Sequence, residues 1–390
     1  MNILFVSGTH PATPHISGVR AARFAEGLAQ RGHRCVLLCP ALPGQDADPD
    51  FAMRAEAQDW RFPLIVTVVE EISAPAPRSA LGALATAGKL LLYGGKRISL
   101  ARALAAKGRA LSKTFQPEIL WATFGSLETV FVARRLAQEC GVRWIFDVKD
   151  NVENYIPRRL HQLLAWRVGG FGALTSNADL HARAANRWLG TPSETIYSGV
   201  DDCFFVQQDP VPDHTAPYVT LVGGLYHRDL VEKFVAGVAA HNRDPSRPPL
   251  EIVHIGAQLD MLEDVAARHD GVRVRGTGYV DTKDMARVCQ SAVANAYIFF
   301  GLGFHHKLFE LFACGRPVVA FGGELPESIR LASDLSMQLK VPQDSLALSS
   351  LLAELTTSPF RHVDLQDRFF TWPDQAAMLE RTMKRLIAHD

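Results

Sequence analysis

Residues 301–321 place a cation and a carboxylate beside two glycines, in the pattern of a loop, a short helix and a strand. Lys307 lies in the first turn of the predicted helix, which ends at Gly315 because Pro317 prevents its continuation. Backbone N–H groups at a helix N-terminus bind anions, and a lysine beside them adds positive charge. Glu310, one turn later, can accept hydrogen bonds from hydroxyls. A cation for a diphosphate and a carboxylate for a ribose together indicate a nucleotide-sugar pocket.

Residues 307–320, which read KLFELFACGRPVVA, resemble the C-terminal signature of the GT-B glycosyltransferases, in particular the large retaining group numbered family four. Taken alone, the segment also suits an ordinary helix–strand unit whose charges are solvated. The resemblance implies two Rossmann-like α/β domains that face a central cleft, with a C-terminal helix that crosses back to the N-domain. It also implies transfer of a sugar from a nucleotide-sugar donor to an acceptor hydroxyl, with retention of the anomeric configuration.

Composition and length are compatible with this fold. A chain of 390 residues with 47% hydrophobic and 21% charged residues predicts a globular protein of two domains. Because 41 basic residues balance 41 acidic ones, no overall field favours nucleic acid, and we expect no such partner. The six cysteines lack metal-ligand spacing, the start lacks a signal-peptide pattern, and no run approaches the ~20 apolar residues that span a bilayer. We therefore expect a cytoplasmic protein with reduced thiols.

The order of predicted strands and helices, together with the resemblance, divides the chain into three parts. Residues 1–207 form the Rossmann-like acceptor domain, and residues 208–370 form the nucleotide-sugar domain. A segment rich in Pro, Asp and His at 209–217 is typical of a linker. Residues 371–390 form the amphipathic helix that returns to the N-domain.

The acceptor side of the site is predicted in the first domain. The resemblance places a glycine loop facing the acceptor after the first strand, and His15, Ser17 and Gly18 occupy it, with helical periodicity from about Arg20. His15 is either a plain loop residue or an acceptor contact. Phe124 follows a second strand that leads to the same cleft.

Lys149 and Asp150 follow an apolar strand at the position where the family has His-Asp or Arg-Asp. The resemblance implies that they line the reacting face, and a strand-end ion pair is the alternative interpretation. Where the family has an arginine and a lysine for the diphosphate, this chain has Gly224 and Asp229, so Arg228 is the available substitute. The predicted catalytic residues are Lys149, Asp150, Arg228 and Lys307.

The donor pocket follows from the same resemblance. The family's first glutamate, which contacts the donor sugar, is Leu302 here, so the amides of 301–303 and the side chain of His305 or His306 are expected to replace it. The predicted donor-binding residues are Gly223, His227, Arg228, Gly276, Tyr279, Gly301, Leu302, Gly303, His306, Lys307, Leu308 and Glu310.

No cofactor or essential metal is expected. Asp46 and Asp48 lie in a turn-rich stretch, whereas the aspartate pair of metal-dependent glycosyltransferases ends a hydrophobic strand. The resemblance implies that helix dipoles and basic side chains stabilise the leaving diphosphate instead.

Two basic, amphipathic segments, 81–109 and 157–167, suit either a membrane interface or ordinary packing of surface helices. The first interpretation implies a lipid-linked rather than a soluble sugar acceptor, a place on the inner face of the cell membrane, and a role in cell-surface polysaccharide or glycolipid synthesis. Because family residues are missing at 224, 229 and 302, two further functions stay open. These are a catalytically degenerate scaffold that binds a nucleotide or protein partner, and a nucleotide-sugar hydrolase or epimerase.

Overall fold

The protein is described from a computed structural model, which covers residues 1–13, 15–47, 62–69, 88–150, 158–209, 216–299, 301, 303–357 and 370–388, apart from the side chain of residue 159. Its contacts divide the chain into two compact units. The first unit comprises Met1–Ser198 and Trp372–Asp390, and the second comprises Gly199–Thr371. The division follows Ser198, nine residues before the boundary after residue 207 that the sequence predicts.

Strands and helices alternate along both units. The strands are β1 Asn2–Val6, β2 Arg34–Pro40, β3 Leu64–Val68, β4 Ile119–Thr123, β5 Arg143–Val148, β6 Ala173–Ser176, β7 Ser193–Thr195, β8 Tyr218–Val222, β9 Glu251–Ile255, β10 Arg273–Gly278, β11 Ala294–Ile298, β12 Val318–Phe321 and β13 Leu339–Lys340. The helices are α1 Ile16–Gln30, α2 Ile98–Phe115, α3 Leu127–Cys140, α4 His161–Val168, α5 Asp179–Leu189, α6 Arg228–Asn242, α7 Leu259–Ala266, α8 Thr282–Ser291, α9 Lys307–Ala313, α10 Pro326–Asp334, α11 Ser345–Thr357 and α12 Trp372–Ala388.

The first unit is built on a seven-stranded parallel sheet in the order β3-β2-β1-β4-β5-β6-β7. Its central strands are continuous apolar runs because crossover helices cover both faces of a parallel sheet. Ile3 of β1 pairs with Cys35 on one side and Ile119 on the other, and all three are fully buried. The carboxyl ends of the strands therefore lie along one edge, where the loops that follow them meet.

The C-terminal helix α12 belongs to the first unit and packs against α1. Gly27 permits this approach, since a Cβ there would lie 2.6 Å from the Cβ of Ala376. The rings of Trp372 and Phe24 pack edge to face, with their centroids 5.7 Å apart. Burial raises the pKa of Glu380, but hydrogen bonds from Lys384, His33 and Arg31 outweigh it and lower that pKa to about 2.

The second unit is built on a six-stranded parallel sheet in the order β10-β9-β8-β11-β12-β13. The five residues of β8 and the five of β11 are all buried, and these two strands pair in the middle of the sheet. The helix–strand pattern predicted for 307–321 is confirmed by α9 and β12, with Gly315 at a φ of +70° just past the helix end. Each unit has the parallel α/β architecture of a Rossmann-like domain, as predicted.

Candidate functional site

Lys307 and Gly223 form the centre of the candidate site in the second unit. Gly223 follows β8 with a φ of +102°, which L side chains rarely adopt. A Cβ at Gly223 would lie 1.9 Å from the Lys307 Nζ, so the absence of a side chain there gives the ammonium its place. The Nζ donates a hydrogen bond to the carbonyl oxygen of Val222 at 2.7 Å and lies 5.6 Å from the ring centroid of Tyr297. The ammonium is thus held by a carbonyl and an aromatic face.

The electrostatic surroundings of Lys307 tune its charge. Burial lowers the pKa of Lys307 to about 8, while Glu310 and Glu324 raise it and limit the shift. Burial likewise raises the pKa of Glu324, whose carboxylate accepts hydrogen bonds from the Tyr297 hydroxyl and, at 2.7 Å, from the Leu325 N–H. The ammonium is therefore positive at neutral pH but poorly hydrated, which strengthens its attraction to an anion.

His305 stands beside the same tyrosine, with ring centroids 5.1 Å apart. Burial, reinforced by Lys307 and His306, lowers the pKa of His305 to about 3, so its imidazole is neutral at physiological pH. His306 occupies the N-cap position of α9. The side chain of Leu308 is fully buried, whereas Tyr279, just after β10, is 64% exposed.

The glycines predicted for the donor pocket lie in different settings. Gly301 has a φ of +74°, and Gly303 lies between it and α9. Gly276 lies in the edge strand β10, where a Cβ would come within 2.2 Å of a Leu259 methyl group. Leu302 lies outside the described residues.

Arg228 has a partner within the protein. It begins α6, directly after the N-cap residue His227, and its guanidinium forms an ion pair with Asp264 of α7. Both side chains are at least half exposed. A hydrogen bond from Arg228 and its charge lower the pKa of Asp264. The predicted diphosphate ligand thus also stabilises a contact between two helices.

In the first unit, Lys149 and Asp150 follow β5 and form an ion pair with each other. Lys149 is 4% exposed. His15, Phe124 and Asp150 line one cavity of about 360 Å³ at the carboxyl ends of β4 and β5. Burial and Lys149 lower the pKa of His15, and Asp150 opposes that shift. The structure therefore brings the predicted acceptor-side and reacting-face residues of this unit together.

The prediction of a loop at Ser17 and Gly18 is wrong, because both residues lie in the first turn of α1, which starts at Ile16. The His15 side chain caps this helix by accepting a hydrogen bond from the Ser17 N–H, and its Nδ1 lies 2.6 Å from the Ser17 Oγ. A Cβ at Gly18 would come within 2.5 Å of the His10 carbonyl oxygen. The glycine is needed for close packing of the preceding loop on the helix.

A buried ion pair beneath this edge was missed by sequence reasoning. The guanidinium of Arg20 donates to both oxygens of Asp147, at 2.9 and 2.8 Å, and to the carbonyl of Ile196 at 2.7 Å. Thr123 and Thr175 also donate to the Asp147 carboxylate, at 3.0 and 2.8 Å. The available sequence signal was Asp147, which lies inside the apolar strand β5, because a buried charged residue needs a partner.

His181 of α5 was also missed. Its Nδ1 lies 2.7 Å from the Asn177 Oδ1, and the side chain is 2% exposed. Burial lowers its pKa to about 4, with opposing influences from Asp150 and Lys149. A neutral histidine therefore lies close to the Lys149–Asp150 pair.

Neither a metal centre nor a membrane-spanning helix is found among the described residues. Asp46 is exposed, and Asp48 lies outside the described residues. Across the described ranges, His, Cys, Asp and Glu side chains nowhere gather in groups of three that could hold a metal ion. Along the same ranges, no helix combines the length and apolar character needed to cross a membrane.

Family models match both halves of the chain. A glycosyl transferase 4-like domain matches residues 17–196, and a model described as glycosyl transferases group 1 matches residues 216–357. No curated protein matches the sequence.

Solved structures share the fold along the whole length. Sucrose-phosphate synthase from Thermosynechococcus elongatus has a TM-score of 0.69 at 16% identity, and the match covers 100% of both chains. The trehalose-phosphate synthase (UDP-forming) of Burkholderia xenovorans, solved with glucose-6-phosphate, has a TM-score of 0.65 at 14% identity. The match covers 98% of this chain and 99% of that one. Anabaena HepE, solved with UDP and glucose, has a TM-score of 0.64 at 13% identity, with the same coverage of the two chains. The chain therefore belongs to the group 1 glycosyltransferases and is a glycosyltransferase with the GT-B fold.

Proposed function

We propose that this enzyme moves a sugar from a nucleoside-diphosphate sugar to an acceptor hydroxyl, with retention of configuration and without an essential metal. The observation that carries the proposal is the Lys307 ammonium, which lies against Gly223 and is held by the Val222 carbonyl. A carbonyl ligand leaves the net positive charge of the ammonium available. A poorly hydrated cation at the end of β8 is suited to a diphosphate, and HepE, of the same fold, was solved with UDP.

In the proposed reaction, Lys307 stabilises the negative charge that develops on the leaving diphosphate. Stabilisation of this kind is often the largest contribution to catalysis. Glu310, in the first turn of α9, accepts hydrogen bonds from the ribose hydroxyls. Because Lys307 supplies positive charge at the leaving group, the reaction needs no cation for that purpose. The exposed ring of Tyr279 is a surface on which a nucleotide base can stack.

The acceptor is proposed to bind the first unit, in the cavity that His15, Phe124 and Asp150 line. Asp150 accepts a hydrogen bond from the acceptor hydroxyl, and Lys149 holds the Asp150 carboxylate through their ion pair. We further propose a lipid-linked acceptor, reached from the cytoplasmic face of a membrane, in the synthesis of a cell-surface polysaccharide or glycolipid. Exposed Leu163 and Trp166 on α4, at 44% and 71%, support a membrane-facing position of the predicted segment 157–167.

The test is a product assay with a panel of nucleoside-diphosphate sugars, with and without chelator and with soluble or lipid-linked acceptors. We expect a glycosylated acceptor whose new bond keeps the donor's anomeric configuration, at a rate unchanged by chelation. Free sugar would indicate hydrolysis, and an altered donor sugar would indicate epimerisation. Donor binding without any product would indicate a degenerate scaffold. Loss of transfer in chelator, restored by magnesium or manganese, would contradict metal independence.

A further inference from the structure

Five arginines line a cavity of about 490 Å³ on the outer helices of the first unit. The cavity lies among α2, α3, the end of α4 and the neighbouring residues Leu92 and Tyr93, and it shares no lining residue with the cavity of His15 and Asp150. The five are Arg102, Arg109, Arg134, Arg135 and Arg167. None of the residues that line it is acidic. A concentration of guanidinium groups of this kind is suited to bind a phosphate-bearing anion.

The contacts of these arginines fix their positions, but the residues that the structure describes leave most of their charge uncompensated. Arg134 donates to the carbonyl of Gly169 at 2.8 Å, and Arg167 donates to the carbonyl of Leu91 at 3.1 Å. Within the described residues, Glu139 pairs with Arg109 at 3.2 Å and with Arg135 at 2.8 Å. One carboxylate is therefore shared between two of the five guanidinium groups.

The sequence around the cavity adds to its positive charge. Residues 88–117 contain seven lysines and arginines and no acidic residue. This stretch includes all of α2, which forms one wall of the cavity. In a chain whose formal net charge is zero, such an asymmetry concentrates positive potential on one face of the first unit.

Exposed apolar side chains lie beside this charge. Leu92 is 64% exposed and Trp166 is 71% exposed. Arg167 is close to both residues. It follows Trp166 in α4, and its Nη2 lies 3.5 Å from the carbonyl oxygen of Leu92. The guanidinium of Arg167 also lies 5.3 Å from the ring centroid of Phe131. Basic groups next to an exposed tryptophan and leucine are the pattern of a surface that binds an anionic bilayer.

We infer that this cavity binds the phosphate head group of an anionic membrane lipid, while Leu92, Leu163 and Trp166 contact the acyl region. The inference rests on the membrane contact of the proposed function and deepens it, because it names the binding site and the class of ligand. It requires neither a particular acceptor nor a particular donor. Binding of lipid and transfer of sugar can therefore be tested separately.

The experiment measures co-sedimentation of the full chain with phosphatidylcholine vesicles that contain or lack phosphatidylglycerol, in the absence of any donor. We expect binding only to the anionic vesicles, with a loss of binding at high salt. The double substitution Arg102→Gln, Arg109→Gln should weaken binding about 30-fold, since each basic residue near such a surface strengthens binding about fivefold. Arg102→Lys, Arg109→Lys, which keeps the charge, should restore most of it.

The matched control is Arg273→Gln, Arg330→Gln in the second unit, which changes the net charge equally at two exposed arginines. It should leave vesicle binding unchanged. Equal losses in the two double variants would show that overall charge is responsible and would overturn the assignment. A thermal shift by inorganic phosphate that depends on Arg102 and Arg109, without vesicle binding, would assign the cavity to a soluble anion and overturn the lipid.

UDP-induced thermal shifts are measured on the same variants. They should be unchanged, because Lys307 and Gly223 lie in the other unit. If vesicles bind but no sugar is transferred, the proposed function fails while the cavity assignment stands. If sugar is transferred but anionic vesicles do not bind, the cavity assignment fails alone.

Discussion

Lys149 and Lys307 are both positioned after buried strands, but they differ in their partners. Lys149 forms an ion pair with the adjacent Asp150 carboxylate. Lys307 donates to a backbone carbonyl, while Glu310 and Glu324 act on it through their charges. A carboxylate neutralises an ammonium and a carbonyl does not. The same residue type is therefore suited to orient a neighbouring carboxylate in the first unit and to bind an anion in the second.

The buried charges of the two units differ in the same way. Arg20 and Asp147 are both fully buried in the first unit, and their charges compensate each other. In the second unit, Lys307 is in an environment that disfavours its charge, as its lowered pKa shows. A bound diphosphate would relieve that cost. The buried Arg20–Asp147 pair thus stabilises the fold, whereas the charge of Lys307 is available to a ligand.

The largest expected effect concerns Asp147→Asn. The substitution leaves the Arg20 guanidinium buried without its counter-charge, which typically costs about 3–5 kcal/mol. We expect the free energy of unfolding, measured by urea denaturation, to fall by that amount. The double variant Arg20→Met, Asp147→Leu should recover much of it. A loss below about 1 kcal/mol, as for an exposed pair, would contradict a structural role.

The second-largest expected effect is on the free energy of unfolding at acid pH, which depends on the buried imidazole of His181. Its pKa is about 4 in the folded protein and ordinarily 6.5, so between these values the unfolded chain binds a proton that the folded one does not. The free energy of unfolding must then fall as pH falls, by up to about 1.4 kcal/mol per pH unit, or roughly 3 kcal/mol in all. His181→Gln should flatten this slope in urea titrations at successive pH values. His305→Gln should also reduce the slope of the free energy of unfolding against pH, because the pKa of His305 in the folded protein is about 3. An unchanged slope in both variants would contradict the buried neutral imidazoles.

Lys307→Ala tests the second unit directly. A hydrogen bond to a charged group contributes about 1.5–3 kcal/mol, so the Kd for UDP should rise roughly 10–150-fold. Calorimetric titration measures it. The matched control is Lys149→Ala, whose ammonium already has a carboxylate partner, and it should leave the Kd for UDP nearly unchanged. Equal losses in the two variants would remove the distinction between the two lysines.

A smaller effect follows from the pKa of Lys307, which is about 8. Above that pH the free protein loses the ammonium, and binding of UDP then requires uptake of a proton. The Kd for UDP should rise by up to about tenfold per pH unit above 8. Lys307→Arg keeps its charge throughout and should abolish this dependence, even if its affinity is lower. A wild-type Kd that stays constant to pH 10 would show that another group carries the charge.

The parts of the fold that the sequence predicts are those with local signals. The helix and strand at 307–321 follow from Gly315 and Pro317, and the parallel sheets follow from continuous apolar runs. The start of α1 was not predictable in this way, because the His15 side chain caps it and the His10 carbonyl packs against Gly18. These contacts depend on the path of the preceding loop.

The candidate site also combines residues that a local motif predicts with residues that only the folded chain brings together. Lys307 and Glu310 are legible from one short motif. Tyr297 and Glu324, which shape the surroundings of Lys307, come from other strands and loops and carry no motif of their own. Arg20 and Asp147 are separated by 127 positions, so only the folded sheet brings them together.

The packing of α12 on α1 has a consequence for synthesis on the ribosome. The first unit contains the beginning of the chain and the helix Trp372–Ala388, whereas the second is one continuous stretch between them. Domains generally fold as they emerge, starting from the N-terminal side. Here, however, the surface of α1 around Phe24 and Gly27 stays uncovered until the whole second unit has been translated. The unit that is made first is therefore completed last, and a nascent chain carries an open apolar face that a chaperone can recognise.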